Sequence, residues 1–257
     1  MKLLVGGDWH GNTKHAMQMV REARKAGADR IVQVGDFGLW SHFEDGVRFL
    51  DQLNGEARKE GVKIYAVGGN HENWDHWNWH LANGPKSYHG FTYIRSHILL
   101  APRVHYWNWE KHRFLIVAGA VSVDQHLRKK DGTEWWPQEA ITDSDMELVN
   151  DVKVDYLFTH DCSNRTPFKG RLKPDLNSMA NRQQIDRVLA KARPDMHFHG
   201  HMHTRYVWEN MVTDTDWTKT IGLDMDGTWD SWGILNVESG EFLFRNEFGV
   251  KWNGLGT

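Results

Sequence analysis

One cysteine, Cys162, is all the chain contains, so no intramolecular disulfide staples it, as suits a reducing compartment. No apolar run reaches the length of a membrane span, and no signal-peptide pattern opens the sequence. A membrane partner is therefore not expected, and a cytoplasmic location is. Charge of one sign is scarce too, with a formal net charge of −3. That excludes the general attraction to long nucleic acid or acidic membranes that a strongly basic surface provides. No Gly-x-x-x-x-Gly-Lys loop occurs, so nucleotide-driven phosphoryl transfer to an acceptor is not indicated. Cysteine-phosphatase chemistry needs an arginine six residues after the nucleophile to cradle the phosphate, and that position here is Phe168.

What the chain has is an ordinary globular composition, 40% hydrophobic and 25% charged, over 257 residues, enough to bury a real core. No linker, repeat or low-complexity segment divides it, so one domain over residues 1–257 is expected. Histidine and tryptophan are abundant, at 16 and 14. Tryptophan most often packs cores and by itself names no ligand.

Leu3-Leu4-Val5 is short and apolar, as a buried strand is, and it runs into Gly7-Asp8-Trp9-His10-Gly11-Asn12. Residues two apart on an extended segment point the same way, so Asp8 and His10 can converge on one point. A helix is expected from Asn12 to Gly27, with Ala16, Val20 and Ala23 on one face. Ile31 to Val34 reads as a strand ending in Gly35-Asp36-Phe37-Gly38. Ser41 with Glu44 forms a capping-box pattern for a second helix that turns Phe43, Val47, Leu50 and Ala57 inward and closes at Gly61. Lys63 to Val67 is a third strand, ending in Gly68-Gly69-Asn70-His71-Glu72. Alternating strands and helices of this kind build parallel βαβ units.

Further along, Trp74, Trp77 and Leu81 form an aromatic stripe at helical spacing, with His76 and His80 at its edge. No glutamate follows His76 as a hydrolytic His-Glu-x-x-His site requires, so a second metal site there is not expected. Ile98 to Leu100 and Phe114 to Val117 read as strands around a polar excursion from Asn108 to Lys111. Residues 119–139 form a long loop with Asp124, Arg128 and Trp135-Trp136-Pro137, and loops that long tend to be functional. A short helix from Asp143 to Val149 precedes a strand, Val154 to Phe158, that ends in Thr159-His160-Asp161. The basic loop after it holds Arg165, Lys169, Arg171 and Lys173. Ser178 to Ala192 is helical, Met196 to His199 is a strand ending in Gly200-His201-Met202-His203, and the tail alternates as antiparallel strands do.

Five strand ends thus carry O or N donors: Asp8/His10, Asp36, Asn70, His160 and His201/His203. In open α/β sheets functional groups collect at the carboxyl edge of the strands. Mixed imidazole and carboxylate donors without a thiolate suit manganese, iron or zinc better than copper.

This ordered set resembles the calcineurin-like metallophosphoesterases, whose blocks run Asp-x-His, Gly-Asp, Gly-Asn-His-Glu/Asp, His and Gly-His-x-His. Trp135-Trp136-Pro137-Gln138-Glu139 further resembles a subgroup of small bacterial and phage members, often phosphodiesterases. The chain departs from the protein Ser/Thr phosphatase version in lacking an extra Asp and Arg after Gly35-Asp36, and Ser163 replaces a proline common after the single-His block. The resemblance implies a four-layer α/β/β/α sandwich of two mixed sheets, the C-terminal strands completing the second. It implies two divalent or trivalent transition-metal ions, one on Asp8, His10 and His203 and the other on Asn70, His160 and His201, with Asp36 bridging. Two such ions ~3.5–4 Å apart lower the pKa of a shared water and hold phosphate oxygens for in-line attack. His71 is, by the same resemblance, the catalytic histidine, protonating the leaving oxygen or stabilising the phosphate.

Arg165 and Arg171 suit substrate phosphate, and a solvated basic loop is their plainer reading. Asp161 fits either an acceptor behind a ligand imidazole or a surface turn. The expected activity is hydrolysis of small phosphodiesters, with 2′,3′-cyclic nucleotides first, by a hydroxide held at the metals; the tryptophan-bearing loop would offer a base-stacking face. The alternatives are a metal-dependent phosphomonoesterase or protein phosphatase, and a silent protein-binding scaffold. Relatives of the last kind usually lose ligands or the catalytic histidine, and this chain keeps every one.

Overall fold

A computed structural model describes residues 1–166 and 176–247, so Arg171, Lys169, Lys173 and Phe168 lie outside the described residues. The first half is a βαβ series: β1 (Lys2–Gly6), α1 (Thr13–Lys25), β2 (Arg30–Gln33), α2 (Glu44–Glu60) and β3 (Lys63–Ala66). Asn12 caps α1, its Oδ1 accepting from the His15 amide, and the face that reads apolar in sequence is the buried one. After α3 (Trp74–Asn83) come β4 (Thr92–Arg95), β5 (Ile98–Leu100), β6 (Val104–Trp109) and β7 (His112–Val117). The second half holds α4 (Asp143–Glu147), β8 (Tyr156–Thr159), α5 (Leu176–Ala192) and β9 (Met196–His199). It finishes with β10 (Tyr206–Met211), β11 (Trp217–Gly222), β12 (Trp232–Asn236) and β13 (Glu241–Phe244).

Two mixed sheets result, in the orders β13-β12-β1-β2-β3-β5-β4 and β10-β11-β9-β8-β7-β6. Each has four parallel strands at its centre, β1-β2-β3-β5 and β7-β8-β9-β11, with antiparallel strands outside them. The alternation along β7 shows how the layers form. Phe114 and Ile116 face the space between the sheets, whereas Leu115 and Val117 pack with Ile185, Val188 and Leu189 of α5. Phe198 of β9 meets Phe242 of β13 across the interior, ring centroids 5.0 Å apart, and the Tyr156 hydroxyl donates to the Val237 carbonyl at 2.7 Å. With α1 and α2 against the first sheet and α4 and α5 against the second, the fold is the expected α/β/β/α sandwich.

Several expectations need correction. The C-terminal strands do not all complete the second sheet: β10 and β11 join it, but β12 pairs with β1 and carries β13 onto the first. Nor is the tail wholly antiparallel, because β11 runs parallel to β9. The capping box at Ser41 does not form. Ser41 Oγ is taken by His76 Nδ1 at 2.8 Å, a tertiary partner that outcompetes the local one, and Phe43 stands at the N-cap with no side-chain cap bond. Phe43 and Val47 are exposed, and α2 buries Phe49, Leu50, Leu53 and Ala57 instead. The polar excursion at Asn108 to Lys111 is the turn of the β6–β7 hairpin.

Candidate metal centre

Because β1, β2 and β3 belong to one sheet and β8 and β9 to the other, their carboxyl ends meet across the sandwich rim. There the chain places Asp8 and His10 after β1, Asp36 after β2, Asn70 and His71 after β3, His160 after β8, and His201 and His203 after β9. Asp36 is central and fully buried. Its Oδ1 lies 3.2 Å from His160 Nε2 and its Oδ2 lies 3.5 Å from His10 Nε2, so one carboxylate faces both halves of the set. Asp8 Oδ2 stands 3.0 Å from His203 Nε2, and both Asp8 oxygens accept from the His201 amide. Three overlapping groups of potential ligand atoms come together: Asp8/His10/His203, Asp8/Asp36/His160 and His10/Asp36/His71.

The turns that achieve this are strained. His10, Asp36, His201 and His203 have φ of 45°, 54°, 63° and 46°, a left-handed region that costs a non-glycine residue on the order of 1–3 kcal/mol. Neighbouring glycines make the approach possible: a Cβ at Gly69 would run into the Asp36 amide and Oδ1, and one at Gly200 into Asp8 Oδ1. Glu72, buried beneath, accepts the amides of Phe37, Gly38 and Leu39 and so fixes the turn carrying Asp36. Burial and the nearby Asp36 push its carboxyl up to about 7.

The donor chemistry fits a cation. Val34 accepts from His160 Nδ1 at 2.8 Å, which leaves the His160 Nε2 lone pair facing Asn70 Oδ1 at 3.0 Å and Asp36 Oδ1. Asn70 presents that oxygen because its amide nitrogen donates to Ser122 Oγ, which donates in turn to Glu139. His10 is held in the same manner, Nδ1 against Asp226 Oδ1 at 2.8 Å and Nε2 inward. Among the described residues, Asp36 Oδ2 and His201 Nε2 are buried with no hydrogen-bond partner. Acceptors aimed at one another, with two buried atoms orphaned, are the electrostatics of a site that a divalent ion completes.

Without the ion, protons do part of its work. Burial disfavours charge on His160, yet Asp36 and Asp8 outweigh it and raise the imidazole to about 9. His10 likewise overcomes burial through its bond to Asp226 and the negative charge of Asp36 close by, and rises to about 11. Asp36 is held well below the usual carboxylate range, burial being outweighed by the histidines around it, chiefly His160 and His71. Burial and the facing His160 keep His201 neutral.

His71 sits at the rim. Its amide donates to Asp36 Oδ1 at 2.8 Å, and its Nε2 is 3.9 Å from Asp36 Oδ2. That Nε2 accepts from Arg128 Nη2 at 2.5 Å, which occupies the lone pair a metal would need. Burial, reinforced by Arg128, lowers its pKa, with Asp36 opposing. The long loop is therefore part of the site, fastened by Glu139 to Ser122, by Trp136 Nε1 to Asp75 at 3.1 Å and by His42 to the Thr133 carbonyl at 3.2 Å. Trp136 is largely buried in that fastening and lines the cleft beside His71 together with Trp40 and Phe43.

Other candidates go elsewhere. Arg165 aims at the Met211 carbonyl, at the end of β10 that pairs with the start of β11 and so lies away from the ligand-bearing edge. Asp161 is neither a surface turn nor an imidazole acceptor: it is buried, bonded to Asn181 and the Cys162 amide. Among the described residues, His76 and His80 join no metal-binding group. Asp226, Ser122, Glu139 and the contact of Arg128 with His71 escape sequence reasoning. The Asp124/Arg128 spacing of four residues on a long loop was the one available signal.

Two donor clusters sharing Asp36, on the rim of a double-sheet α/β sandwich, define a candidate two-metal centre. The sequence profile of the calcineurin-like phosphoesterases matches residues 1–205, and the chain belongs to that family. Among solved structures it is similar to TT1561 of Thermus thermophilus, with 12% identity and a TM-score of 0.55 over 94% of this chain and 96% of that one. A dimetal phosphatase from Danio rerio is comparable, at 14% identity and a TM-score of 0.54 over 90% and 91%. At such identities the likeness is one of fold. No curated protein matches the sequence.

Proposed function

We propose that this phosphoesterase acts on small phosphodiesters, cyclic nucleotides of the 2′,3′ kind foremost. Asp8, His10 and His203 would hold one metal and Asn70, His160 and His201 the other, with Asp36 between them. Bound there, two ions would neutralise phosphate charge and lower the pKa of the attacking water. Manganese, iron and zinc all suit these donors. His71, whose Nε2 lies 3.9 Å from Asp36 Oδ2, would serve as the acid: once Arg128 gives up its bond to Nε2, that nitrogen would take a proton from water and pass it to the leaving oxygen.

The observation that carries the diester reading is the cleft of about 320 Å³ that opens beside His71, lined by Trp40, Phe43, Arg128, Thr133, Glu134 and Trp136. Its aromatic wall, in which Trp40 is pinned by donating to the His71 carbonyl at 2.6 Å, gives room and apolar surface to an organic ester group. A phosphomonoesterase is the competing reading, favoured by the Arg128 guanidinium at the same rim. Asp124, 2.7 Å from that guanidinium, offsets part of its charge and tilts the balance back toward a monoanionic diester. The test is kcat/KM with Mn²⁺ for 2′,3′- and 3′,5′-cyclic nucleotides, a phosphomonoester and a phosphopeptide. The cyclic diesters should lead; a monoester or phosphopeptide ahead by more than about tenfold, some 1.4 kcal/mol of transition-state preference, refutes the diester reading.

A further inference from the structure

Arg128 is nine-tenths buried, yet among the described residues Nη1 has no hydrogen-bond partner. Its other donors are spent on Asp124, through Nε at 3.0 Å and Nη2 at 2.7 Å, and on His71 Nε2. A buried guanidinium N–H without an acceptor is costly, and folded proteins rarely keep one without a use for it. The reverse occurs 3.9 Å from the same His71 Nε2, where Asp36 Oδ2 is a buried acceptor with no hydrogen bond among the described residues. An acceptor suited to a cation and a donor suited to an anion thus both lie near His71 Nε2.

We propose that Arg128 is the residue that binds the non-bridging phosphoryl oxygens of the substrate, delivered to the metal centre by the loop rather than by a strand end. The inference rests on the phosphoesterase reading above and assigns that site its anion anchor. A planar guanidinium matches two phosphoryl oxygens at once, and Nη1 is free to take one of them. As Nη2 turns from His71 to the other, His71 Nε2 is released to face the leaving oxygen. Anchoring the anion and freeing the histidine are then one event. The loop does not have to fold onto the substrate for this, because Asp75 and His42 already hold it to neighbouring elements and Glu139 closes its base on Ser122. Nη1 is thus in place before the substrate arrives, and only the Nη2 contact has to be exchanged.

The experiment measures inorganic phosphate binding by calorimetry on the full chain, metal-free and loaded with Mn²⁺, for wild type, R128A, R128Q and D124N. Metal content and melting temperature serve as controls, and R128Q keeps a polar side chain with the same carbons out to Cδ should R128A fold poorly. In both metal states R128A and R128Q should weaken phosphate by about tenfold or more, the loss of one charge-assisted contact. The same variants should lower kcat/KM for the diester by roughly 10²–10³. D124N should bind phosphate at least as tightly as wild type, since it removes a competitor for the guanidinium. If Arg128 only props the loop through Asp124, D124N will weaken phosphate as R128A does, and the proposal falls. It falls too if R128A and R128Q bind phosphate as wild type does. Failure of the wild type to turn over any ester is a different result: it removes the phosphoesterase reading while the phosphate affinities still decide the role of Arg128.

Discussion

Asp226 and His10, 216 residues apart in sequence, share a 2.8 Å hydrogen bond between Oδ1 and Nδ1 at the mouth of the metal centre. The other carboxylate oxygen accepts from Asn12, and the Asp226 amide donates to the Asp8 carbonyl, so one residue of the β11–β12 connection braces the whole turn after β1. Carboxylates behind ligand imidazoles fix the tautomer and strengthen the donor. Asp226→Asn should therefore lower metal affinity by about 10–100-fold while the fold persists. Competition with a chelator followed by elemental analysis measures it; affinity equal to that of wild type would show that His10 needs no such support.

Asp36→Ala should empty both positions together, because the one Asp36 carboxylate faces His10 through Oδ2 and His160 through Oδ1. Metal content measured beside turnover of a chromogenic phosphodiester tests this. Full occupancy of two ions in the variant would sink the bridging assignment.

His71→Ala should keep its metals and lose activity by roughly the 10²–10⁴ of a missing general acid. The loss should shrink for a nitrophenolate leaving group, which departs without a proton. Equal losses on good and poor leaving groups would argue against the acid role, and loss of metal would make His71 a ligand, as its proximity to Asp36 permits.

Metal binding should release protons. In the metal-free protein His160 titrates at about 9 and His10 at about 11, so both are imidazolium at pH 7.5. Both values lie above the unfolded value near 6.5. Their contribution to stability is thus complete below about pH 6.5 and is lost as pH climbs through 9 and then 11. The metal-free protein should lose melting temperature over that window and the metal-loaded protein much less. Calorimetric metal titration in buffers of different ionisation enthalpy counts the protons directly; an enthalpy independent of buffer contradicts the prediction.

The sequence by itself determined the donors and their order. Asp8/His10 and His201/His203 are legible locally as donor pairs just past apolar strands, whereas the left-handed turns that aim His10, His201 and His203 are not described by the alternation of extended backbone. Apolar runs and helix caps such as Asn12 are equally local, which is why β1, α1, β2 and β3 stand where the pattern puts them. Tertiary structure decided whatever depended on which partner arrived first in space. Ser41 gives up its helix cap for His76, β12 chooses β1 over the second sheet, and Arg128 reaches His71 from 57 residues away. No spacing encodes those choices, because a hydrogen-bond donor is satisfied by any well-placed acceptor, and only the closed sandwich brings the two sheet edges near enough to settle which one it meets.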